Sequence, residues 1–317
     1  MTVARLAVLL LLREVCATAF APSGANLACP GARQVRSAAG WCSIAPAACS
    51  WKMGPSKEGS VAVQGDHKLW YRLVRPMTVS SQKGRPLVVL HGGPQVPSDY
   101  LFPLTGVEYR SVLFYDQLGC GRSDAPGVEA ADYSIASSVA DLEQVLAGVG
   151  VEDFHLIGQS WGGILAYEFL RAGGPAAQSC RSVILANSPS SVAVVEAEAA
   201  RLVEHAGGVD EFKAEHECRL PERPKPLVDA YNHAGSVWRG SGAIAGWELD
   251  ASAPKLSVPA MVLRGEHDFV TETAAEGWAG AFERCRTKVL VGCSHHALLE
   301  DTSGFLEIVD GFTGQYD

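Results

Sequence analysis

From about Trp51 onward the chain alternates short apolar runs with amphipathic stretches, and no other feature constrains its fold as much. The runs Pro86 to Leu90, Ser111 to Tyr115, Phe154 to Ile157, Arg181 to Leu185, Ala260 to Arg264 and Lys288 to Val291 each end in a polar or glycine-rich turn. Two earlier strands fit Val61 to Val63 and Leu69 to Val74. Helical periodicity appears at Ser134 to Gly148, where Ile135, Val139, Leu142 and Leu146 share a face, and again at Gly163 to Ala172 and Thr271 to Phe282. Strands alternating with helices in this way predict an α/β fold, a mostly parallel sheet flanked by helices. In open sheets of that kind the chemistry gathers beyond the carboxyl ends of the strands, so functional residues are expected in the turns that follow the runs.

The first 55 residues are a different material. They hold five basic side chains and one acidic one, a charge of +4, which leaves −13 on the rest of a chain whose formal net charge is −9. Arg5, the apolar block Leu6 to Leu12 and the small residues Ala17-Thr18-Ala19 have the layout of a secretory signal peptide. From Val15 to Lys57 there is no Asp or Glu, while Ala, Ser, Gly and Arg are common, as in an organellar transit peptide. The junction Ala19-Phe20-Ala21-Pro22 resembles the bipartite presequences of algae with complex plastids, cut just before a Phe-Ala-Pro. Residues 1–55 are therefore expected to be a disordered presequence addressing the chain to a plastid, with secretion as the alternative.

Composition excludes other classes. The Leu6 to Leu12 block is far shorter than the ~20 residues a spanning helix needs, so no permanent membrane span is expected. An acidic chain without a Lys/Arg cluster offers no face to nucleic acid. Four of nine cysteines lie in the leader, and Cys120, Cys180, Cys218, Cys285 and Cys293 are scattered without metal-ligand spacing. Neither a zinc site nor a disulfide framework is expected, and the thiols read as small buried hydrophobes. Cys293, close to a candidate histidine, is the one expected to confer sensitivity to thiol reagents.

The most telling turn is Gly158-Gln159-Ser160-Trp161-Gly162-Gly163, between the apolar His155-Leu156-Ile157 and the helical Ile164 to Leu170. A nucleophile on a sharp strand-to-helix turn needs a strained backbone with small neighbours two residues away, and Gly158 and Gly162 supply them. A serine hydroxyl also needs a general base and a carboxylate that orients it. Asp268 follows the strand Met261-Val262-Leu263, and His295 follows Val289-Leu290-Val291, in the order nucleophile, acid, histidine. Glu266 and His296 are the nearest competitors for those two roles. Donors for a developing oxyanion are expected from the backbone N–H of Trp161 and from Gly93 in His91-Gly92-Gly93-Pro94.

These segments, together with Asp116-Gln117-Leu118-Gly119-Cys120-Gly121-Arg122-Ser123, resemble the successive motifs of the proline iminopeptidase family of α/β-hydrolases, including its tricorn-interacting branch. The match runs in order from about Val61 to Phe312. It implies a serine peptidase with Ser160, Asp268 and His295 as its triad, releasing a single residue, often proline, from a free peptide N-terminus. It implies no metal or organic cofactor, and a hydrolase core over 56–189 and 255–317 with a small helical cap, 190–254, inserted after the sixth strand.

Two departures from the family pattern stand out. Gln95 replaces the last glycine of His-Gly-Gly-Pro-Gly, where a positive φ would strain a side chain. Family members carry an amine-binding glutamate in a Trp-Gly-Pro-Ser-Glu-like cap segment, whereas Trp238-Arg239-Gly240-Ser241-Gly242 ends in glycine. Glu211, Glu215 and Glu217 are the remaining cap carboxylates that could hold a substrate's ammonium, and a solvated helix face is the alternative. Glu215, His216 and Glu217 cannot converge on a metal, because adjacent helical residues point apart. The loop Asp116 to Ser123 reads as a tight turn buttressing the site, with Arg122 paired internally. The expected function is thus a serine aminopeptidase acting on peptides or small amides. The alternatives are an esterase or amidase for a small neutral metabolite, and a noncatalytic binding protein.

Overall fold

A computed structural model describes residues 54–77, 83–235 and 244–317, together with the backbone of two short strands, Val35–Ser37 and Gly40–Cys42, which pair antiparallel. The rest of the expected presequence lies outside the described residues, as does the Trp238 to Gly242 segment.

Eight strands form the main sheet: β1 (Ser56–Val63), β2 (His67–Val74), β3 (Leu87–Leu90), β4 (Val112–Tyr115), β5 (Phe154–Gln159), β6 (Cys180–Ala186), β7 (Ala260–Gly265) and β8 (Cys285–Leu290). Their spatial order is β8-β7-β6-β5-β3-β4-β2-β1. Two pairings, β1 with β2 and β2 with β4, are antiparallel, and the other five, from β4 across to β8, are parallel.

The central strands read as uninterrupted apolar runs because both faces are buried. Along β3 and β4, Leu87, Val89, Val112 and Phe114 face one apolar layer with Leu101, Phe305 and Phe312. Val88, Leu90, Leu113 and Tyr115 face the other, with Leu142, Ile164 and Phe169. That is the period of two expected of a strand.

Helix α1 (Ile135–Val149) begins where the Ser134 hydroxyl accepts the Ser137 N–H at 3.1 Å and ends at Gly150, whose φ of 79° only glycine adopts without strain. Helix α2 (Trp161–Ala172) leaves the end of β5 directly. The expected helix over Thr271 to Phe282 is instead two short pieces, Glu272–Ala275 and Trp278–Ala281. The break comes at Gly277, whose N–H donates to the buried Ser190 hydroxyl at 3.1 Å and whose missing side chain admits that contact.

Between β6 and β7 lies the cap region, with α3 (Val192–Ala206), α4 (Lys225–Asn232) and a short helix, Val209–Phe212. The helix expected to carry Glu211 to Arg219 loosens into a π-helical turn over Lys213–Glu217, and Cys218 is extended. Tertiary pairing explains the change. The widened turn presents the His216 and Glu217 carbonyls to the N–H groups of His295 and His296, at 3.2 and 3.1 Å. No helix among the described residues is long and apolar enough to cross a membrane.

Candidate active site

The chain makes its sharpest turn at Ser160, with φ 55° and ψ −121°, between β5 and α2. Such a conformation costs about 1–3 kcal/mol in a non-glycine residue and persists only where its surroundings enforce it. Here the Ser160 N–H is held by the Ala186 carbonyl of β6 at 2.9 Å, and the Gly163 N–H by the Ser160 carbonyl at 2.9 Å. A Cβ on Gly158 would lie 2.1 Å from the Gly162 carbonyl oxygen, and one on Gly162 would lie 2.2 Å from that of Leu90. Both glycines are therefore required by close backbone approach, as the motif predicts. Ser160 itself is half-buried at the N-terminus of α2, where helical N–H groups project beyond the helix.

Asp268 and His295 come together from the turns after β7 and β8: His295 Nδ1 lies 2.8 Å from Asp268 Oδ1. A carboxylate only accepts, so Nδ1 carries the proton and Nε2 presents a lone pair. Asp268 is nearly buried and also accepts the Val270 N–H at 2.9 Å and the Asn187 side-chain amide at 2.7 Å. Three donors on two oxygens leave the carboxylate little freedom to turn. The competitors are elsewhere: Glu266 accepts the Gly292 N–H at 2.8 Å on the surface, and His296 meets the Tyr231 hydroxyl at 3.3 Å. Burial, with His295 and Arg223 nearby, holds the His296 imidazole well below its ordinary value, so it stays neutral.

Asn187 escapes the sequence reading. It sits at the carboxyl end of β6 with φ 51°, where the rule that chemistry follows strand ends points equally to it. Gln159 is missed too. Its amide nitrogen is 3.2 Å from His295 Nε2, which puts the residue before Ser160 at the histidine's second nitrogen.

The His91-Gly92-Gly93-Pro94 turn is braced from within. Burial lowers the His91 imidazole from its ordinary value; its Nε2 accepts the Gln117 N–H at 2.9 Å, so its Nδ1–H donates to the Gly92 carbonyl at 3.0 Å. Gly93 has φ 118°, a backbone state reserved for glycine. Gln95 does adopt the strained φ, 67°. Its buried side chain occupies space that side chains at Gly119 and Gly235 would fill, and the Gly235 N–H donates to its carbonyl at 2.9 Å. Arg122 is paired internally as expected, with Asp116 and Asp99, each at 2.8 Å.

Of the three cap carboxylates only Glu217 turns inward. It is bonded to the Tyr231 hydroxyl at 2.7 Å and to the Arg223 guanidinium, so its charge is already met. Glu211 and Glu215 are exposed. Cys293 is buried, and desolvation aided by Glu300 and Asp301 pushes its thiol up to about 11. The expected thiol sensitivity is overturned there, since the reactive thiolate is suppressed.

The model of an alpha/beta hydrolase family matches residues 87–308. The chain belongs to that family. Among curated relatives of this hydrolase, the proline iminopeptidase of Saccharolobus solfataricus is 29% identical over 284 residues, covering 78% of this chain and 89% of the relative. That of Lactobacillus delbrueckii subsp. bulgaricus is 28% identical, covering 71% and 88%. The crystal structure of the proline iminopeptidase of Mycobacterium smegmatis superimposes on the hydrolase with a TM-score of 0.72 at 25% identity, covering 82% of this chain and 98% of that one. The sequence-level resemblance to proline iminopeptidases thus extends over most of the chain.

Proposed function

We propose that the chain is a serine aminopeptidase that releases an N-terminal residue, proline first among them, through an acyl-enzyme. The Asp268–His295 pair at 2.8 Å, together with a strained serine on a strand-to-helix turn, is the observation that carries this reading. Ser160 Oγ attacks the scissile carbonyl as His295 Nε2 takes its proton, and Asp268 stabilises the imidazolium. The N–H groups of Gly93 and Trp161 receive the developing oxyanion. His295 then protonates the departing amine, and water, activated by the same imidazole, releases the residue and restores Ser160.

Turnover of proline and alanine arylamides by the full chain tests the substrate class. A fluorophosphonate probe tests the nucleophile: labelling that Ser160→Ala abolishes supports it and removes the noncatalytic reading. An esterase or amidase for a small neutral metabolite is the second reading, favoured by the neutralisation of Glu217 by Arg223 and Tyr231. Ester cleavage without any turnover of N-terminal amides decides for it.

We also propose, from the sequence of residues 1–55 alone, that this segment addresses the hydrolase to a plastid. A fluorescent protein fused behind residues 1–55 and expressed in an alga with a complex plastid would accumulate there; secretion of the fusion would overturn the assignment.

A further inference from the structure

His295 is held on both sides of its ring. Asp268 takes Nδ1–H, and the Gln159 amide donates toward Nε2 at 3.2 Å while also reaching the His295 carbonyl at 3.3 Å. The orientation of that amide is dictated. Its Oε1 accepts the Tyr100 O–H at 2.7 Å, and the Tyr100 oxygen in turn accepts the Gly92 N–H at 2.8 Å. Turned over, the amide would set its oxygen against the imidazole lone pair and a carbonyl, and would leave Tyr100 with donors on every side. Gln159 and Tyr100 are both buried, so water does not compete for these bonds. The path exists because residue 92 is glycine: a Cβ there would lie 2.4 Å from Gln159 Oε1 and 3.0 Å from the Tyr100 oxygen.

We infer that Gln159 and Tyr100 are positioning residues, which hold His295 by its reacting nitrogen and tie it to the Gly92-Gly93 turn. The inference rests on the catalytic reading of Ser160, Asp268 and His295 above. The Gln159 amide thus fixes the ring by the nitrogen that is to take the serine proton. The same tyrosine accepts the N–H of Gly92, the residue before Gly93, so the setting of the base and that of the oxyanion turn are linked through one hydroxyl.

Other groups facing His295 stay constant in the test. They are Asp268 and Phe269 from the β7 turn, the neighbouring neutral His296, and the His216 carbonyl from the cap, with Glu217 and Arg223 beyond it. The rate of fluorophosphonate labelling at Ser160, measured against pH in the full chain, reads the base without requiring the natural substrate. Gln159→Leu removes the donor, so the acid limb of the profile moves up by about half a unit or more, with labelling on the plateau slowed roughly 10-fold. Gln159→Glu, which sets a carboxylate against the imidazolium, moves the limb further in the same direction. Tyr100→Phe moves it less, and the double variant Tyr100→Phe/Gln159→Leu moves it no further than Gln159→Leu alone. An unmoved limb in folded Gln159→Leu and Tyr100→Phe overturns the inference while leaving the proposed function standing. Should Gln159→Leu not fold, the Tyr100→Phe limb decides alone, shifted or not. Labelling that survives Ser160→Ala overturns the functional reading itself.

Discussion

Gln117 accepts the indole N–H of Trp161 at 2.8 Å, and the same side-chain amide donates to the His91 carbonyl at 3.0 Å. One buried glutamine at the end of β4 therefore ties the first residue of α2 to the turn that carries Gly93. Those are the two places from which oxyanion donors are proposed to come. Preorganised donors stabilise a developing charge only if they do not have to move to meet it, so a brace between their carriers is a direct contribution to that geometry.

Replacing Gln117 with Leu removes both side-chain bonds but keeps the backbone N–H that His91 Nε2 accepts. The expected result is a fall in kcat of roughly 10-fold with KM little changed, because the loss is felt where charge develops. Stability should drop by about 1–3 kcal/mol, because a buried indole N–H and a buried carbonyl each lose a hydrogen bond. Steady-state kinetics on any turned-over ester or N-terminal amide, with a urea melt, checks both numbers.

Gly162→Ala tests the elbow as a backbone requirement. Its Cβ would sit 2.2 Å from the Leu90 carbonyl oxygen and 2.9 Å from that of His91, both fixed backbone atoms. The variant should lose several kcal/mol of stability or fail to accumulate as soluble protein. Gly311→Ala, in helix α5 (Thr302–Thr313), where nothing stands within 4 Å of the added methyl, is the control and should keep its melting temperature or raise it.

Arg110 is almost fully buried, and Asp317 meets it twice, at 2.9 and 3.1 Å. The same carboxylate also accepts the Arg85 N–H at 2.8 Å and lies 3.1 Å from His155 Nε2. Asp317→Ala strips a buried guanidinium of its principal counter-charge; Asp310, at 3.7 Å, remains. A loss of about 2–4 kcal/mol is expected by denaturant unfolding, without change in kcat, since this cluster lies at the opposite ends of the strands from Ser160.

Asp141, on α1, is buried and bonded to the Gln64 amide, and desolvation, with the Asp132 charge adding to it, raises its carboxyl from 3.8 to about 6. Because the folded value lies above the unfolded one, its favourable contribution is complete below about pH 4 and is lost as pH rises through 6. Asp141→Asn keeps an acceptor for the Gln64 amide and never ionises. It should therefore raise stability at pH 8 by about 1 kcal/mol, and the difference from the parent should shrink toward zero by pH 4. Paired melts at those two pH values suffice.

Much of this fold is readable from local pattern. The alternation of apolar runs and amphipathic stretches specifies the strands, because β3, β4 and β5 are buried on both faces and must be apolar throughout. The edge strand β8 extends to Cys285, beyond the apolar run, since Arg286, Thr287 and Lys288 face solvent there and pattern alone carries no signal. The helix break at Gly277 and the π-helical turn over Lys213–Glu217 were likewise unreadable. Each is made by a partner far along the chain, Ser190 in one case and His295 with His296 in the other.

The candidate site divides the same way. Ser160, its flanking glycines and the order of acid and histidine follow from the sequence alone, because a strained turn needs particular residues at particular neighbouring positions. The sequence also ranks Asp268 ahead of Glu266, and folding brings Asp268 to His295; tertiary structure alone put Asn187, Gln159 and Tyr100 around the pair. It also turned Glu217 inward onto Arg223 and Tyr231 while leaving Glu211 and Glu215 outside. The physical reason is range: backbone strain and periodicity act over a few residues, whereas a buried hydrogen bond joins whatever groups folding brings within 3 Å, and spacing along the chain does not record that meeting.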